Sequence, residues 1–300
     1  MHDATFFDAI YAGGTHKRDR CAWWMHAGSK SFAGSILETL EHDKHKARRA
    51  AISVFFSKRS IQLLEPRIKH IVQLLVNRLK AEKGEVVNLN CAMAAVSMDV
   101  ISEYCFGESM NSMKRKEYGK EWLEIAHDGI SMRPLGRQFP WLVNFMIDLP
   151  PTIAAKLSPV AEKTIAFNSK LLRKIEWIMR GEDKECDSKR KRTVFHEIRD
   201  GSLPEKEKHP FRLMGEASIL LGAGTETTAR TLSVTAYYII KHDKIRRKLR
   251  QELRSVMPTK QSSVSLPMLE TLPFLVSPLL PSICSFYLPL GTSLTDLRRP

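Results

Sequence analysis

The stretch LLGAGTETTARTL, residues 220–232, constrains the fold most, because its flanks indicate a helix while its own residues disfavour one. Upstream, Pro210 stands where a first helical turn tolerates proline, and downstream the apolar pattern continues to a basic end. Between them, each of two glycines costs about 1 kcal/mol relative to alanine, and four threonines lose side-chain freedom. We therefore predict one long central helix, about residues 209–240, that keeps poor helix formers because a site needs them.

Most of the remaining chain has helical periodicity. Apolar residues recur at steps of three and four from Leu64 to Leu79, and Gly84 follows as a stop. Residues 92–107 are apolar on nearly all sides, which predicts a buried helix that ends at Gly107.

The segments between these helices complete the predicted architecture. EVVNLN, residues 85–90, is a candidate for a brief strand, and residues 132–151 read as a proline-rich loop. A long helix that ends near Arg180 should follow, and then a solvated link over residues 181–192. The predicted class is mainly α with minor β.

Composition limits the classes of protein and partner. Lys and Arg total 47 against 33 Asp and Glu, so the net charge of +14 favours acidic partners or simply reflects a basic soluble surface. The five cysteines contain no CxxC pair, which argues against a disulfide scaffold and a structural zinc site; they lie at positions 21, 91, 105, 186 and 284.

Small side chains inside the central helix suggest a site. Ala223 and Thr227 are four residues apart and share a face, with Gly224 and Thr228 beside them. Such a face lets a flat, bulky group lie against the backbone, and the Thr227 hydroxyl can bond the carbonyl four residues back. Glu226 places an acid nearby. The alternative is a helix crossing at which glycine and alanine merely permit close packing.

A second candidate lies in EHDKHKARRAAISVFFSKR, residues 41–59. His45 and Arg49 are four residues apart, so both can reach one anionic group. The alternative is a solvated basic helix face, which we expect of the neighbouring Lys44, Lys46 and Arg48.

These stretches resemble the cytochrome P450 family, the heme-thiolate monooxygenases. AGTETT, residues 223–228, is similar to the family's [AG]-G-x-[DE]-T-[TS] signature in a long central helix, and His45 with Arg49 is similar to its H-x-x-x-R pattern. DAIYAGGTHKRDR near the start resembles a segment of fungal members. The resemblance covers about residues 1–275 and implies a P450-like helical fold.

The resemblance also implies a chemistry. Heme would be the cofactor, His45 and Arg49 would bind its propionate, and Ala223 and Gly224 would make room for dioxygen and a small apolar organic substrate. Thr227 and Glu226 would deliver protons by a relay, which is general acid catalysis. Electrons would come from NADPH through a reductase partner. The resemblance implies the endoplasmic reticulum membrane, in which eukaryotic members of the family are anchored; this chain begins with polar residues, so we expect it to be cytoplasmic or insoluble.

Two departures from the family pattern concern the heme ligand and the core on the heme side. The axial motif F-x-x-G-x-x-x-C-x-G does not occur, because Ile101 stands where the glycine before Cys105 should be, and no E-x-x-R occurs either. No metal ligand is therefore assigned, and we expect this chain by itself to lack activity. Residues 276–300 match nothing in the family, and we predict that a frameshift or retained intron supplies them.

A non-catalytic basic helical protein that binds an anionic partner is the alternative. KHKARR, KRKR and IRRKLR would form its surface, and Lys189 to Arg192 could act as a nuclear localisation signal. Nucleic acid is not an expected partner, because no aromatic interleaving or helix-turn-helix spacing accompanies these runs.

Overall fold

The computed structural model describes residues 17–25, 32, 34–142, 145, 149–157, 159–183, 192–259 and 262–276. Within these ranges it contains helices and no strand, which confirms the mainly α class. The first seven helices are α1 Ala22–Met25, α2 His42–Ser53, α3 Lys58–Gln62, α4 Glu65–Ala81, α5 Leu89–Phe106, α6 Glu121–Ser131 and α7 Arg133–Gln138. The others are α8 Pro151–Leu157, α9 Pro159–Met179, α10 Val194–Asp200, α11 Pro210–Lys241, α12 Asp243–Val256, α13 Leu266–Glu270 and α14 Pro273–Val276. The described residues also include the 3-10 helices Ser112–Lys114, Lys116–Gly119 and Glu205–Glu207.

The chain divides into two compact units. The first comprises the residues up to Phe55 together with Ile125–Ile219, and the second comprises Phe56–Glu124 together with the residues from Leu220 onward. The central helix α11 begins in the first unit, and its residues from Leu220 belong to the second.

The core of the first unit includes the packed helices α9 and α10. Leu171, Ile175 and Ile178 of α9 are almost completely buried, and their spacing of four and three residues places them on one face. Phe195 and Ile198 of α10 are equally buried, and the two helices are in contact. The predicted long helix that ends near Arg180 is confirmed by α9.

A polar cluster closes the N-terminus of α10. Thr193 and His196 form a capping box in which Oγ1 and Nδ1 are 2.7 Å apart. Nε2 of His196 lies 2.6 Å from Oδ2 of Asp183, a close contact that lacks hydrogen-bond geometry. Asp183 is only 2% exposed, so the predicted solvated link is wrong at this residue; residues 184–191 lie outside the described ranges.

Helices α4 and α5 pack together in the second unit. Ile71 and Leu75 of α4 belong to the same buried cluster as Ala92 and Ala95 of α5. Both helices begin and end close to where the sequence predicts, and Gly107 terminates α5 in the left-handed conformation with φ 72°. Only glycine adopts that conformation without a steric penalty, which explains the stop.

Two predictions of local structure are wrong. EVVNLN forms no strand, because Asn88 caps α5 by accepting a hydrogen bond from the N–H of Cys91. Val86 is fully exposed, and the described residues contain no second strand with which it could pair. The predicted loop over residues 132–151 contains α7, because Pro134 lies in the first turn, where its missing N–H removes no helical bond.

The turn that precedes α6 has a strained backbone. Glu117 (φ 48°, ψ 32°) and Tyr118 (φ 57°, ψ 27°) both adopt the left-handed conformation, which costs an L-residue about 1–2 kcal/mol. The buried carboxylate of Asp99 fixes the preceding loop by accepting hydrogen bonds from the N–H groups of Ser112 and Met113, at 2.7 and 2.9 Å. These bonds help to offset the strain.

In the part of the chain that is described, no helix combines the length and the apolar character that a membrane crossing requires.

Candidate functional site

The central helix carries an exposed face of small residues. Helix α11 runs without interruption through residues 223–228, and Ala223 and Thr227 are both exposed on it. The Thr227 hydroxyl donates a hydrogen bond of 2.6 Å to the carbonyl of Ala223, as predicted. Thr231 repeats this bond one turn later, with the carbonyl of Thr227 as acceptor at 2.9 Å.

Another face of the same stretch is packed. A Cβ atom at Gly224 would lie only 3.0 Å from Cγ1 of Ile101, so the missing side chain permits a close crossing with α5. Thr225 is completely buried, and its hydroxyl lies 3.8 Å from the sulfur of Met98. The packing alternative therefore accounts for Gly224. It does not account for Ala223 and Thr227, which remain exposed.

Helix α2 presents a basic group that could bind an anion. Nε2 of the half-buried His45 lies 3.2 Å from Nη2 of Arg20. Nη1 of Arg20 donates to the carbonyls of Ile36 and Leu37. Burial, followed by the charges of Arg20 and Arg49, lowers the pKa of His45, so its imidazole is neutral near pH 7. Arg49 is exposed and has no acceptor among the described residues.

Arg48 corrects a prediction made from the sequence. We expected a solvated side chain, yet Arg48 is only 6% exposed. Its Nε and Nη2 each lie 2.7 Å from Oε2 of Glu207, and Nη1 donates to the hydroxyl of Thr39 at 2.6 Å. Ile52, four residues further on, is the other buried residue of α2. Because residues four apart share a helix face, the apolar Ile52 was the sequence signal that Arg48 faces inward.

The Arg48–Glu207 pair belongs to a larger buried network. Nη1 of Arg212 donates to Oε2 of Glu216 at 3.3 Å and to the carbonyl of Gly34 at 3.2 Å, and Glu216 also accepts from the N–H of Ile36 at 3.0 Å. Two arginines thus balance two glutamates. We infer that this network fixes the orientation of α2, and with it the outward direction of His45 and Arg49.

The pKa values of the two carboxylates in the network are shifted in opposite directions. Burial alone would raise the pKa of Glu207, but the hydrogen bond and charge of Arg48 outweigh it and lower the pKa. Burial raises the pKa of Glu216, and the charge of Arg212 only partly opposes it. Removing either arginine would therefore leave a carboxylate buried without compensation.

Two groups of described residues, one in each unit, have chemistry that heme could use, whereas Cys105 does not. Arg49 and His45 offer the donors that a carboxylate such as a propionate requires, and the exposed face at Ala223 and Thr227 suits a flat group. Cys105 does not fit an axial thiolate: it is completely buried within α5, and burial raises its pKa to about 12. Among the described residues no cluster of His, Cys, Asp or Glu could hold a metal ion. The roles assigned to His45, Arg49, Ala223, Gly224, Glu226 and Thr227 stay predictions.

Proteins with similar sequences include fungal monooxygenases. The cytochrome P450 family model matches residues 8–278. "Cytochrome P450 monooxygenase tpcC" of Cochliobolus heterostrophus is 33% identical over 277 residues, which cover 91% of this chain and 52% of the relative. "Tryptophan 6-hydroxylase fscE" of Fusarium equiseti is 32% identical over 279 residues, covering 92% of this chain and 54% of the relative. The chain thus spans about half the length of these curated relatives.

A solved structure shares the fold. The crystal structure of the cytochrome P450DA heme domain superposes with a TM-score of 0.69 at 14% identity, covering 93% of this chain and 57% of that one. The family model, the fungal relatives and this fold agree with the AGTETT and H-x-x-x-R resemblance. The chain belongs to the cytochrome P450 family.

Proposed function

We propose that this chain provides part of a heme-dependent monooxygenase that oxidises a small apolar organic substrate with dioxygen. The observation that carries the proposal is the exposed Ala223–Thr227 face of the AGTETT stretch, whose other face packs closely against α5 at Gly224. The relative named as a tryptophan 6-hydroxylase supports hydroxylation as the type of reaction.

Heme, when bound, would supply the activation of dioxygen. His45 and Arg49 would hold a propionate, because a neutral imidazole and a guanidinium with no acceptor among the described residues can both donate to a carboxylate. Arg48 would act as a positioning residue, since its pairing with Glu207 holds α2 in one orientation.

The direction of its hydrogen bond decides what Thr227 can do. Its proton points to the carbonyl of Ala223, so the exposed oxygen offers lone pairs and would accept a hydrogen bond from a water molecule. Glu226, the adjacent residue, would act as the acid that returns a proton to this water. We propose this pair as the proton relay.

The 300 residues contain no axial-ligand motif, so we propose that they do not form thiolate-ligated heme by themselves. NADPH, a reductase partner and attachment to the endoplasmic reticulum are proposed for full-length relatives. The chain loaded with hemin and reduced under carbon monoxide should fail to give the red-shifted Soret band of a thiolate. A clear thiolate band would contradict this proposal.

A matched pair of variants tests the propionate contact. In a chimera that receives the C-terminal part of a full-length relative, Arg49→Ala should weaken heme retention by about 1.5–3 kcal/mol, the value of a charge-assisted hydrogen bond. Lys46→Ala, also exposed on α2, should have much less effect. Equal losses would indicate a general effect of charge and would contradict a specific contact.

The non-catalytic alternative gains no support from the basic run at Lys189 to Arg192. Residues 189–191 lie outside the described ranges, and Arg192 forms ion pairs with Glu197 and Asp200.

A further inference from the structure

A cavity lies wholly within the second unit, and no residue of the central helix lines it. It has a volume of about 440 Å³ and is bordered by the end of α4, the N-terminus of α5 and the strained turn at Glu117 and Tyr118. We propose that this cavity binds a phosphate group, either as a free phosphate ester or as the headgroup of a lipid. Nothing in the proposed monooxygenase reaction uses it.

The charges around the cavity favour an anion. Arg78, Lys116 and Lys120 provide three positive charges against the two negative charges of Glu82 and Glu117. Glu117 holds Lys120 in an ion pair, which raises the pKa of that lysine. The N-terminus of the 18-residue helix α5 adds a partial positive charge from its backbone dipoles.

The two remaining titratable side chains of the lining are uncharged near neutral pH. Burial raises the pKa of the Cys91 thiol. Burial, followed by a hydrogen bond to Glu82, raises the pKa of Tyr118 to about 12. Neither group therefore opposes a bound anion.

The carboxylate oxygens of Glu82 already have hydrogen-bond partners, whereas several donors that line the cavity have none among the described residues. Both oxygens of Glu82 are occupied, one by Nε of Arg78 at 2.7 Å and the other by the hydroxyl of Tyr118 at 2.5 Å. In contrast, Nη2 of Arg78, Nδ2 of Asn88 and the ammonium of Lys116 have no acceptor among the described residues. A ligand that brings several acceptor oxygens would satisfy these donors.

The wall of the cavity is held in place before any ligand arrives. The guanidinium of Arg78 lies 3.6 Å from the centre of the Tyr118 ring, and Nη1 donates to the carbonyls of Met113 and Arg115. A left-handed backbone at two consecutive non-glycine residues persists only where the surroundings enforce it, and such strain concentrates at ligand sites.

Titration calorimetry of the full chain tests the proposal, with inorganic phosphate and glycerol 3-phosphate as soluble probes and chloride at matched ionic strength as the reference. Vesicles of phosphatidylcholine with and without phosphatidic acid form the second arm. We expect Lys116→Ala to weaken binding about tenfold, because it removes one charge-assisted contact. Lys114→Ala is the matched control, since Lys114 is exposed on the same segment and does not line the cavity.

The outcomes separate clearly. Saturable binding of a soluble probe that depends on Lys116 and not on Lys114 supports a free ester. A response only to phosphatidic acid, with the same dependence, supports a headgroup. No binding in either arm, or equal losses in the two variants, would overturn the proposal. Lys116→Glu, which reverses the charge at an exposed position, provides a second variant that should abolish binding.

Discussion

Two stretches of the central helix are stabilised in opposite ways. Residues 212–216, which we call the charged stretch, bury Arg212 and Glu216 and hold them in the ion network. Residues 222–228, the small-residue stretch, achieve close packing at Gly224 by having no side chain there. The charged stretch leaves no open surface for a ligand, whereas the small-residue stretch leaves one face exposed. One helix thus combines a structural part with the part proposed to act in catalysis.

The network around the charged stretch should show the largest effect of a single substitution. Arg48→Ala leaves Glu207 buried without its partner, and we expect it to lower the free energy of unfolding by about 3–5 kcal/mol. The adjacent Arg49→Ala should change it by less than about 0.5 kcal/mol, because Arg49 is exposed. Urea denaturation measures both.

Replacing both partners sharpens that prediction. Arg48→Met with Glu207→Leu removes the two charges together, so it should cost far less than Arg48→Ala alone. Similar stabilities of Arg48→Ala and Arg49→Ala would mean that the ion network contributes little and that the contrast between the two stretches is false.

The small-residue stretch should respond to added volume. Gly224→Leu forces a side chain against Ile101, and we expect a loss of about 1–3 kcal/mol despite the better helix propensity of leucine. Combining it with Ile101→Ala should recover much of the loss, because that change removes the atom at 3.0 Å. Denaturation that shows no loss for Gly224→Leu would argue against a close crossing.

The exposed face should have the smallest effect on stability. Thr227→Ala loses one hydroxyl bond but gains helix propensity, so we expect a change within about 0.5 kcal/mol. In the restored chimera the same variant should release more hydrogen peroxide and less product per electron, because a methyl group cannot hold the relay water. Glu226→Gln should slow turnover.

Thr228→Ala is the control for this loss of coupling, since Thr228 is an exposed threonine one position further along the helix. If Thr227→Ala kept its full yield of product per electron while Gly224→Leu failed to fold, the small-residue stretch would serve only helix packing.

Sequence patterns predicted those parts of the fold that depend on neighbours in the chain. The periodicity from Leu64 to Leu79 and the stop at Gly107 were both visible, because helices are encoded at spacings of three and four. Arg48 was misjudged because its partner Glu207 lies 159 positions away. The strand prediction at EVVNLN failed because a strand requires a second strand, which no local pattern reveals.

The left-handed residues Glu117 and Tyr118 had no signal in the sequence either. Glycine and asparagine normally mark that conformation, and here two other residue types adopt it. The sequence placed AGTETT inside one long helix, which the structure confirms, but it could not indicate which of these residues are exposed and which are packed.

The buried ion network also makes the residues allowed at one position depend on the residue at a distant one. Gly34 has φ +78°, and a Cβ atom there would lie 2.8 Å from Cγ of Arg212, an atom near the root of a side chain that cannot easily move. Position 34 therefore tolerates little variation while Arg212 keeps its pairing. Shortening position 212 would relieve the crowding but leave Glu216 without its cation. In a library that randomised both positions, we would expect the two to be selected as a pair although 178 residues separate them.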